Sequence, residues 1–393
     1  MCHDFYAQEG GENRVFREEA AILGGFGESV QVWARDNREI EAYGFVGRCM
    51  AWMSGFYSPR TAREVGRLVR SFRPQVAIVQ NVFPLASPSL YLTLHRLGIP
   101  VVQLVFNYRL VGCANAQLFT HGALCHRCVK GTTWHAASLR CLRSSLTASL
   151  WYGLILGLHR RLGTFRHCID RFIVPHSFVG GKLLEGGFDP GRVRVNPNPF
   201  TLPEQITTEA VKPYFVYLGR VIREKGLLTL VKALVQVPAP LGVVIAGDGP
   251  ALSEIEAYLV NHPALAARVE LAGPIWGEQA RALLAGAQAF VLPSEWYDPS
   301  PLLLYNALAM GKPAIASDLG SQPEIVGHDL HGLIFRAGDV DDLARKMLRL
   351  AGDTSLRRQM GEAGRRKAET EYAPEAHYRR LREILQEVAL GES

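Results

Sequence analysis

The sequence predicts an α/β protein built from two doubly wound, Rossmann-like domains. Strand-like apolar runs alternate with helical patterns along the whole chain, as is typical of parallel sheets covered by helices. The irregular stretch RVRVNPNPF, residues 192–200, separates these runs into two series. A length of 393 residues also exceeds one ordinary core and suits two domains of roughly 200 residues each.

Eight apolar runs are predicted to form the strands. They lie at residues 75–81, 99–107, 170–176, 214–220, 241–249, 268–274, 287–294 and 312–318. We place the domains at residues 1–205 and 206–375. The charged, amphipathic pattern of residues 376–393 predicts a terminal helix that packs back on the first domain. Because ligands of doubly wound folds bind beyond the carboxyl ends of the strands, motifs at those ends are the candidate site.

Composition excludes several classes of protein. A hydrophobic content of 48% with 38 Gly and 22 Pro is typical of a globular chain, neither disordered nor fibrous. The net charge of +6 suits an anionic small ligand or an anionic membrane surface and is too diffuse to indicate nucleic acid binding. Seven cysteines without a secretory leader predict a cytoplasmic protein, either free or peripheral at the inner membrane face.

Two segments leave membrane contact open. The apolar run at residues 146–158 is flanked by arginines and too short to span a bilayer, so it is either a buried core helix or an interfacial, acceptor-facing segment. Arg60, Arg63, Arg67 and Arg70 follow one another at helical spacing. They form either a solvated helix face or a patch for anionic lipid.

The stretch YLGRVIREKG indicates an anion site. A strand ends at Gly219, Arg220 follows, and Lys225 precedes a helix. Two cations beside a helix start attract a pyrophosphate through the free N–H groups and through charge-assisted hydrogen bonds. The alternative is a solvated basic turn.

Gly10 and Gly11 lie between a short first strand and a helix, where backbone could approach a phosphate or sugar closely. Most glycine pairs are simply turns. This pair does not belong to the G-x-G-x-x-G pattern, which argues against a hydride-transfer enzyme.

The stretch SEWYDPSPLLLYNALAMGKP, residues 294–313, is predicted to be a loop and helix that follow a strand. It would present Asp298, Asn306 and the backbone of Ser300, Pro301 and Leu302 to one ligand. A similar arrangement follows the next strand, with Glu324 on its helix.

The ordered set GGENRVF, GRVIREKG, AGDGP, PSEWYDPSPLLLYNALAMGKPAIAS, GSQPEIV and HGLIF resembles the glycosyltransferases of family four, bacterial members in particular. The resemblance spans nearly the whole chain. It implies a GT-B fold, with two Rossmann-like domains facing a central cleft, and retaining transfer of a sugar from a nucleotide sugar. The first domain would bind the acceptor and the second the donor.

The resemblance also implies residue roles. Arg220 and Lys225 would hold the donor diphosphate without a required metal ion, and Gly10, Gly11 and Gly219 would approach the donor. The family has two glutamates separated by seven residues, of which the first meets the sugar and the second the nucleotide ribose. They fall here on Asp298 and Asn306, and Glu324 would complete the nucleotide or acceptor shell.

One further departure concerns the reacting centre. The family's histidine falls on Phe106, which we assign with Asn107 and Tyr108 to the acceptor or sugar pocket. Because phenylalanine accepts no hydrogen bond, we expect a donor without a polar 6-substituent, a pentose or a 6-deoxy sugar. Two alternatives stay open: a catalytically silent protein of the same fold that binds a ligand or partner, and a nucleotide-sugar epimerase.

Cys113, Cys125, Cys128 and Cys141 have the number and spacing of ligands for a structural zinc ion. The alternative is a set of packed or free thiols.

Overall fold

The protein is described here from a computed structural model that covers residues 1–7, 10–40, 42–44, 51–203 and 211–391. It divides into two compact units. Unit 1 comprises Met1–His121, Cys125–Pro199 and Pro374–Ser393, and unit 2 comprises Gly122–Leu124 and Phe200–Ala373. The predicted boundary between residues 205 and 206 lies outside the described residues.

Strands and helices alternate along most of the chain. The strands are β1 Cys2–Phe5, β2 Trp33–Asp36, β3 Ala77–Val79, β4 Val101–Leu104, β5 Phe119–Thr120, β6 Ala123–Leu124, β7 Arg171–Val174, β8 Val193–Val195, β9 Tyr214–Leu218, β10 Gly242–Ala246, β11 Val269–Leu271, β12 Phe290–Leu292, β13 Ala314–Ser317 and β14 Gly332–Phe335.

The described helices likewise fall in both units. They are α1 Gly11–Gly25, α2 Pro59–Phe72, α3 Ser89–Arg96, α4 Arg127–Lys130, α5 His135–Ser138, α6 Leu146–Arg161, α7 Thr164–His167, α8 Ser177–Glu185, α9 Leu227–Ala233, α10 Leu252–Val260, α11 Pro263–Ala266, α12 Gly277–Gly286, α13 Leu302–Ala309, α14 Gln322–Val326, α15 Val340–Gly352, α16 Thr354–Lys367 and α17 Pro374–Ala389.

Each unit is built on a six-stranded parallel sheet, which confirms the predicted fold class. The strand order is β2-β1-β3-β4-β7-β8 in unit 1 and β11-β10-β9-β12-β13-β14 in unit 2. The central strands are short and buried on both faces, so apolar and β-branched residues run through them without alternation. This continuous burial is what made them recognisable in the sequence.

The strand orders fix where a ligand can bind in each unit. In unit 1 the chain runs from β1 outward to β2 and then crosses to β3 on the other side of β1. Unit 2 repeats this arrangement, with β9 as the first strand and β12 across from β10. The loops that leave two neighbouring strands in opposite directions open a crevice at this switch point.

Helices α6 and α17 were both expected from the sequence. The predicted terminal helix is α17, whose apolar residues Leu381 and Ile384 are buried. In α6 one face is buried through residues such as Ile155 and Leu156, while Leu154 and Leu158 are exposed. A buried core helix therefore describes only one face of α6, and an interfacial segment could describe only the other. Among the described residues, no helix has the length and apolar content needed to cross a bilayer.

Candidate functional site

The loop after β9 has a fixed backbone that carries Arg220. Gly219 has φ +128°, a conformation that favours glycine. A Cβ atom on Gly247 would lie 1.8 Å from the carbonyl oxygen of Gly219, so the two loops can approach this closely only with glycine at position 247. The Tyr217 hydroxyl donates to the carbonyl oxygen of Arg220 at 2.7 Å. These contacts hold the loop in place, while the Arg220 side chain is exposed to solvent.

Lys225 and Asp298 form a buried ion pair at the switch point of unit 2. The Lys225 Nζ donates to Asp298 Oδ2 at 2.6 Å, and the two side chains are only 11% and 9% exposed. Lys225 follows β9 and Asp298 follows β12, the neighbouring strand across the switch point. Two residues that the sequence predicts to bind different parts of a ligand are therefore brought into direct contact with each other.

Main-chain contacts hold Asp298 in one position. The Ser300 N–H donates to Asp298 Oδ1 at 3.3 Å, and the Ser321 N–H donates to the Asp298 carbonyl oxygen at 3.1 Å. Gly320, at φ +64°, passes so near that a Cβ atom on it would lie 2.7 Å from that same carbonyl oxygen. The loop after β13 thus supports the loop after β12.

Two serine hydroxyls strengthen this support. The Ser317 Oγ donates to the carbonyl oxygen of Ser294 at 2.6 Å, and the Ser321 Oγ donates to the carbonyl oxygen of Pro299 at 2.8 Å. Both serines are fully buried. This support was not identified from the sequence, because a buried hydroxyl that holds a distant loop leaves no local pattern.

Glu295 has a structural contact of its own. Its Oε1 accepts a hydrogen bond from the Thr229 hydroxyl of α9 at 2.7 Å, and its N–H donates to the carbonyl oxygen of Glu224 at 2.8 Å. The next residue, Trp296, places its ring centroid 5.6 Å from the Lys225 Nζ. Its buried indole N–H has no hydrogen-bond partner within the described ranges.

The remaining predicted donor residues lie on and before α13. Pro301 precedes the helix and Leu302 is its first residue. The Ser300 hydroxyl and the Tyr305 hydroxyl lie 3.1 Å apart. Asn306 is half-buried in the middle of the helix, and its carbonyl oxygen accepts a hydrogen bond from the Met310 N–H.

Glu324 lies on α14, the helix that follows β13. Its side chain is half-buried, and its carbonyl oxygen accepts a hydrogen bond from the Lys367 Nζ at 3.2 Å.

The charge of the candidate site in unit 2 depends on the ion pair between Lys225 and Asp298. Because Asp298 neutralises Lys225, Arg220 is the predicted anion-binding cation that stays exposed in unit 2.

In unit 1, the three predicted pocket residues differ in placement. Phe106 is buried and lines a cavity of about 20 Å³ together with Asn107 and Arg109. The Asn107 Nδ2 donates to Glu12 at 3.3 Å, and its Oδ1 accepts from the Arg109 N–H at 3.0 Å. Tyr108 is almost fully buried.

A polar cluster beside Asn107 was not identified from the sequence. The Arg109 Nη1 donates to the Tyr6 hydroxyl at 2.9 Å and to Asn81 Oδ1 at 3.1 Å, and the Tyr6 hydroxyl donates to Glu12 Oε2 at 3.1 Å. Burial raises the pKa of the Tyr6 hydroxyl and of the Glu12 carboxyl. Tyr6, Asn81 and Asn107 follow β1, β3 and β4, so the cluster lies at the carboxyl ends of neighbouring strands.

The glycine pair directly precedes Glu12 of this polar cluster. Gly10 caps the start of α1 with an extended backbone, and both Gly10 and Gly11 are exposed. A Cβ atom on Gly10 would meet nothing within 4 Å, so its packing within the protein does not require glycine.

The four predicted zinc ligands line one cavity of about 20 Å³ in unit 1, together with His135. The Cys113 Sγ donates to Asn115 Oδ1 at 2.9 Å, and all four are free thiols. Burial raises the pKa of Cys113 to about 11 and that of Cys128 to about 12. Across the described residues, no three His, Cys, Asp or Glu side chains are arranged to hold a metal ion. The zinc site stays a prediction that metal analysis of the purified protein would test.

Two family models match the chain one after the other. "Glycosyl transferase 4-like domain" matches residues 10–199, and "Glycosyl transferases group 1" matches residues 201–367. Together they include every site residue that was predicted from the sequence.

Several curated proteins are similar to the chain. Sulfoquinovosyl transferase SQD2 of Arabidopsis thaliana is 29% identical over 243 residues, which are 58% of this chain and 45% of that protein. Lipopolysaccharide core biosynthesis glycosyltransferase LpsD of Rhizobium meliloti is 28% identical over 47% of this chain and 52% of its own length. Alpha-D-kanosaminyltransferase of Streptomyces kanamyceticus is 26% identical over 46% and 47%, respectively. The matches thus span about half of these relatives.

Solved structures share the fold over the full length. Anabaena Alr3699/HepE in complex with UDP has a TM-score of 0.68 at 15% identity and covers 98% of both chains. Sucrose-phosphate synthase of Thermosynechococcus elongatus has a TM-score of 0.70 at 17% identity and covers 100% of this chain and 99% of its own.

Proposed function

Because the chain belongs to the glycosyltransferases of family four, we propose that it transfers a sugar from a UDP-linked donor to a hydroxyl acceptor with retention of anomeric configuration. The observation that carries this proposal is the buried Lys225–Asp298 pair next to the exposed Arg220 at the switch point of unit 2. The choice of UDP is supported by a structural neighbour that was solved in complex with UDP.

Lys225 and Arg220 are proposed to stabilise the departing diphosphate. An ammonium has three N–H donors, and Asp298 accepts from one of them, so donors remain for phosphate oxygens. Asp298 fixes the position of the ammonium before the donor binds. Arg220 adds donors in a planar fork that suits phosphate. Such preorganised charge acts on the oxygens that gain negative charge as the glycosidic C–O bond breaks.

The reaction requires no nucleophile from the protein. The bond between the anomeric carbon and the diphosphate oxygen breaks, and a bond from that carbon to the acceptor oxygen forms on the same face of the sugar. The acceptor proton passes to an oxygen of the leaving diphosphate. We therefore assign Asp298 to orientation of the sugar, and Asn306 with Glu324 to the nucleotide or acceptor shell. No metal ion is needed in this scheme, because Arg220 and Lys225 supply the positive charge.

Phe106 supports a donor without a polar 6-substituent. Its ring is buried where the family has a histidine, and it can neither donate nor accept a hydrogen bond. A sugar 6-hydroxyl desolvated against it would lose its hydrogen bonds to water, which costs about 1–3 kcal/mol. A pentose or a 6-deoxy sugar avoids this loss. The names of the curated relatives indicate several different sugars, so they do not favour one donor.

Turnover of UDP-xylose and UDP-glucose tests the donor assignment. We expect at least a tenfold higher kcat/KM with UDP-xylose, from about 1.4 kcal/mol of discrimination. The Phe106→His variant should narrow this ratio, because a histidine ring nitrogen can accept a hydrogen bond from the 6-hydroxyl of glucose. A clear preference of the parent protein for UDP-glucose would overturn the assignment. NMR of the product's anomeric proton tests retention separately, and an inverted product would contradict it.

The acceptor is proposed to bind in unit 1, where Glu12 and Asn107 offer oxygen and N–H groups to a hydroxyl. Acceptors in glycan, glycolipid and natural-product biosynthesis all fit this chemistry. We further propose a cytoplasmic enzyme, on the basis of its seven cysteines.

A further inference from the structure

Positive charge is concentrated in one long part of the chain. Residues 65–169 contain twelve Lys or Arg and no Asp or Glu. The net charge of the whole protein is only +6, so acidic residues elsewhere hide this asymmetry in the total. A region this long without a single carboxylate has an electrostatic preference for an anionic partner.

Helix α6, within this part of the chain, exposes a stripe of leucines. Leu154 and Leu158 are 50% and 41% exposed, and Leu162, directly after the helix, is 61% exposed. Their spacing of four residues places them along one side, with the buried Leu156 on the opposite side. Leu146 at the start of the helix is exposed as well. Exposed leucines in such a row are unusual for a helix whose other face already fills the core.

An exposed tryptophan flanks the leucine stripe on each side. On one side, Trp52 contacts Trp151 at 5.0 Å between ring centroids, and the Trp151 indole N–H donates to the Trp52 carbonyl oxygen at 2.9 Å. On the other side, the Thr133 hydroxyl donates to the Gly153 carbonyl oxygen at 2.7 Å, which holds the neighbouring Trp134 beside α6. Met53 adds a further exposed apolar side chain. Tryptophan is the residue typical of the boundary between lipid and water.

Five cations on α4, between α5 and α6, and at the end of α6 are exposed: Arg127, Lys130, Arg140, Arg143 and Arg161. In the part of the chain that the structure describes, none of them forms an ion pair. Arg160 instead donates to the carbonyl oxygens of Cys128 and Val129, which ties the cations of α4 to α6. Arg161 lies on α6 between Leu158 and Leu162 in sequence, so its charge is next to the leucine stripe.

We infer that this face of unit 1, the leucine stripe of α6 with its flanking tryptophans and cations, binds the surface of a membrane that contains anionic lipids. Leucine side chains enter the boundary of the acyl region, tryptophans lie at the headgroup level, and arginines contact lipid phosphates. With 16 residues, α6 is too short to cross the bilayer and lies along its surface. A soluble acidic partner would account for the cations but not for the leucines. This inference does not rest on the proposed sugar transfer.

Sedimentation of the full chain with lipid vesicles tests this inference. We compare vesicles of phosphatidylcholine with vesicles that also contain phosphatidylglycerol. An apolar variant, Leu154→Ser with Leu158→Ser, and a charge variant, Arg140→Gln with Arg143→Gln and Arg161→Gln, separate the two contributions. Leu330→Ser with Val260→Ser is the matched control, because both residues are exposed apolar side chains of unit 2. Thermal unfolding of each variant verifies folding.

We expect the parent protein to bind only the anionic vesicles, and salt to weaken the binding. Each test variant should bind about tenfold or more weakly, and the control should bind like the parent. Failure of the parent to bind anionic vesicles would overturn the inference, as would unchanged binding by the apolar variant. Equal binding to pure phosphatidylcholine would refute the anionic specificity. A parent dimer that the apolar variant dissociates, without vesicle binding, would show that a second copy covers this face.

Discussion

Lys225 and Asp298 lie 73 residues apart in the chain, and neither motif indicates that the two side chains meet. Their contact gives Asp298 a structural role in addition to the predicted contact with the sugar. A carboxylate one methylene shorter than the family's glutamate still keeps its charge, and here that charge holds the lysine that is proposed to bind diphosphate. The two effects of this pair, on stability and on donor binding, can be separated by substitution.

Lys225→Met and Asp298→Asn should each destabilise the protein. Removal of one partner from a buried ion pair leaves an uncompensated polar site and costs about 3–5 kcal/mol. The double variant should cost less than the sum of the single variants, because neither group is then left alone. Thermal unfolding midpoints check this. Arg220→Ala is the control, since this exposed side chain should leave the midpoint unchanged; additive losses in the double variant would contradict the pairing.

At the scale of elements, α17 is joined to α1 by a buried pair within unit 1. The His377 Nε2 and Glu19 Oε2 are 2.9 Å apart, and both side chains are almost fully buried. Burial lowers the pKa of His377, but the Glu19 carboxylate outweighs this effect and the net pKa lies above its ordinary value. The Tyr378 hydroxyl adds a hydrogen bond to Glu28 at 2.7 Å.

The docking of α17 should therefore depend on pH. Because the pKa of His377 is raised in the folded protein, the stabilisation is complete below the ordinary pKa of 6.5 and is lost as the pH rises through the folded value. The Glu19→Gln variant should have a lower unfolding midpoint than the parent near pH 6, and this difference should shrink at alkaline pH. Midpoints measured from pH 6 to pH 9 test this, and a difference that grows with pH would contradict it.

At the scale of the whole molecule, donor and acceptor are proposed to bind to different units. Family membership supports an enzyme over a silent protein of the same fold. Each unit has a parallel sheet in which the chain turns back beside its first strand, and each gathers polar residues at that switch point. Unit 2 presents cations, whereas unit 1 presents Glu12, Asn107 and buried Arg109. This division predicts two distinct kinds of defective variant.

Arg220→Ala should weaken UDP binding and lower kcat/KM about 100-fold, because it removes a charge that acts on the leaving group. Glu12→Gln should bind UDP like the parent and lower the rate of transfer to an acceptor by about tenfold. Calorimetry with UDP and separate assays of donor hydrolysis and transfer distinguish the two. Loss of UDP binding in Glu12→Gln, with unfolding midpoints unchanged, would contradict the division.

The fold and part of the site could be predicted from the sequence because they depend on local patterns. Buried parallel strands are continuous apolar runs, and the motifs around Arg220, Lys225 and Asp298 lie next to such runs. The cluster of Arg109, Tyr6 and Glu12 was missed because the hydrogen bond from Arg109 to Tyr6 joins residues 103 positions apart. Tyr108, which the motif placed in the pocket, is almost fully buried, and its role there stays a prediction.

By itself, the sequence determined two parallel-sheet domains, the family, and the strand ends at which candidate site residues lie. Periodicity and short motifs are sufficient for these, because hydrophobic burial and strand-end loops act over a few residues. Only the tertiary structure decided that Asp298 pairs with Lys225, because crossover connections bring β9 and β12 side by side. It also decided which side of α6 is exposed, since packing against Thr133 and Gly55 covers the other parts of that helix. In the stretch at residues 294–313, the aspartate is thus a partner of the lysine as well as a candidate for the sugar.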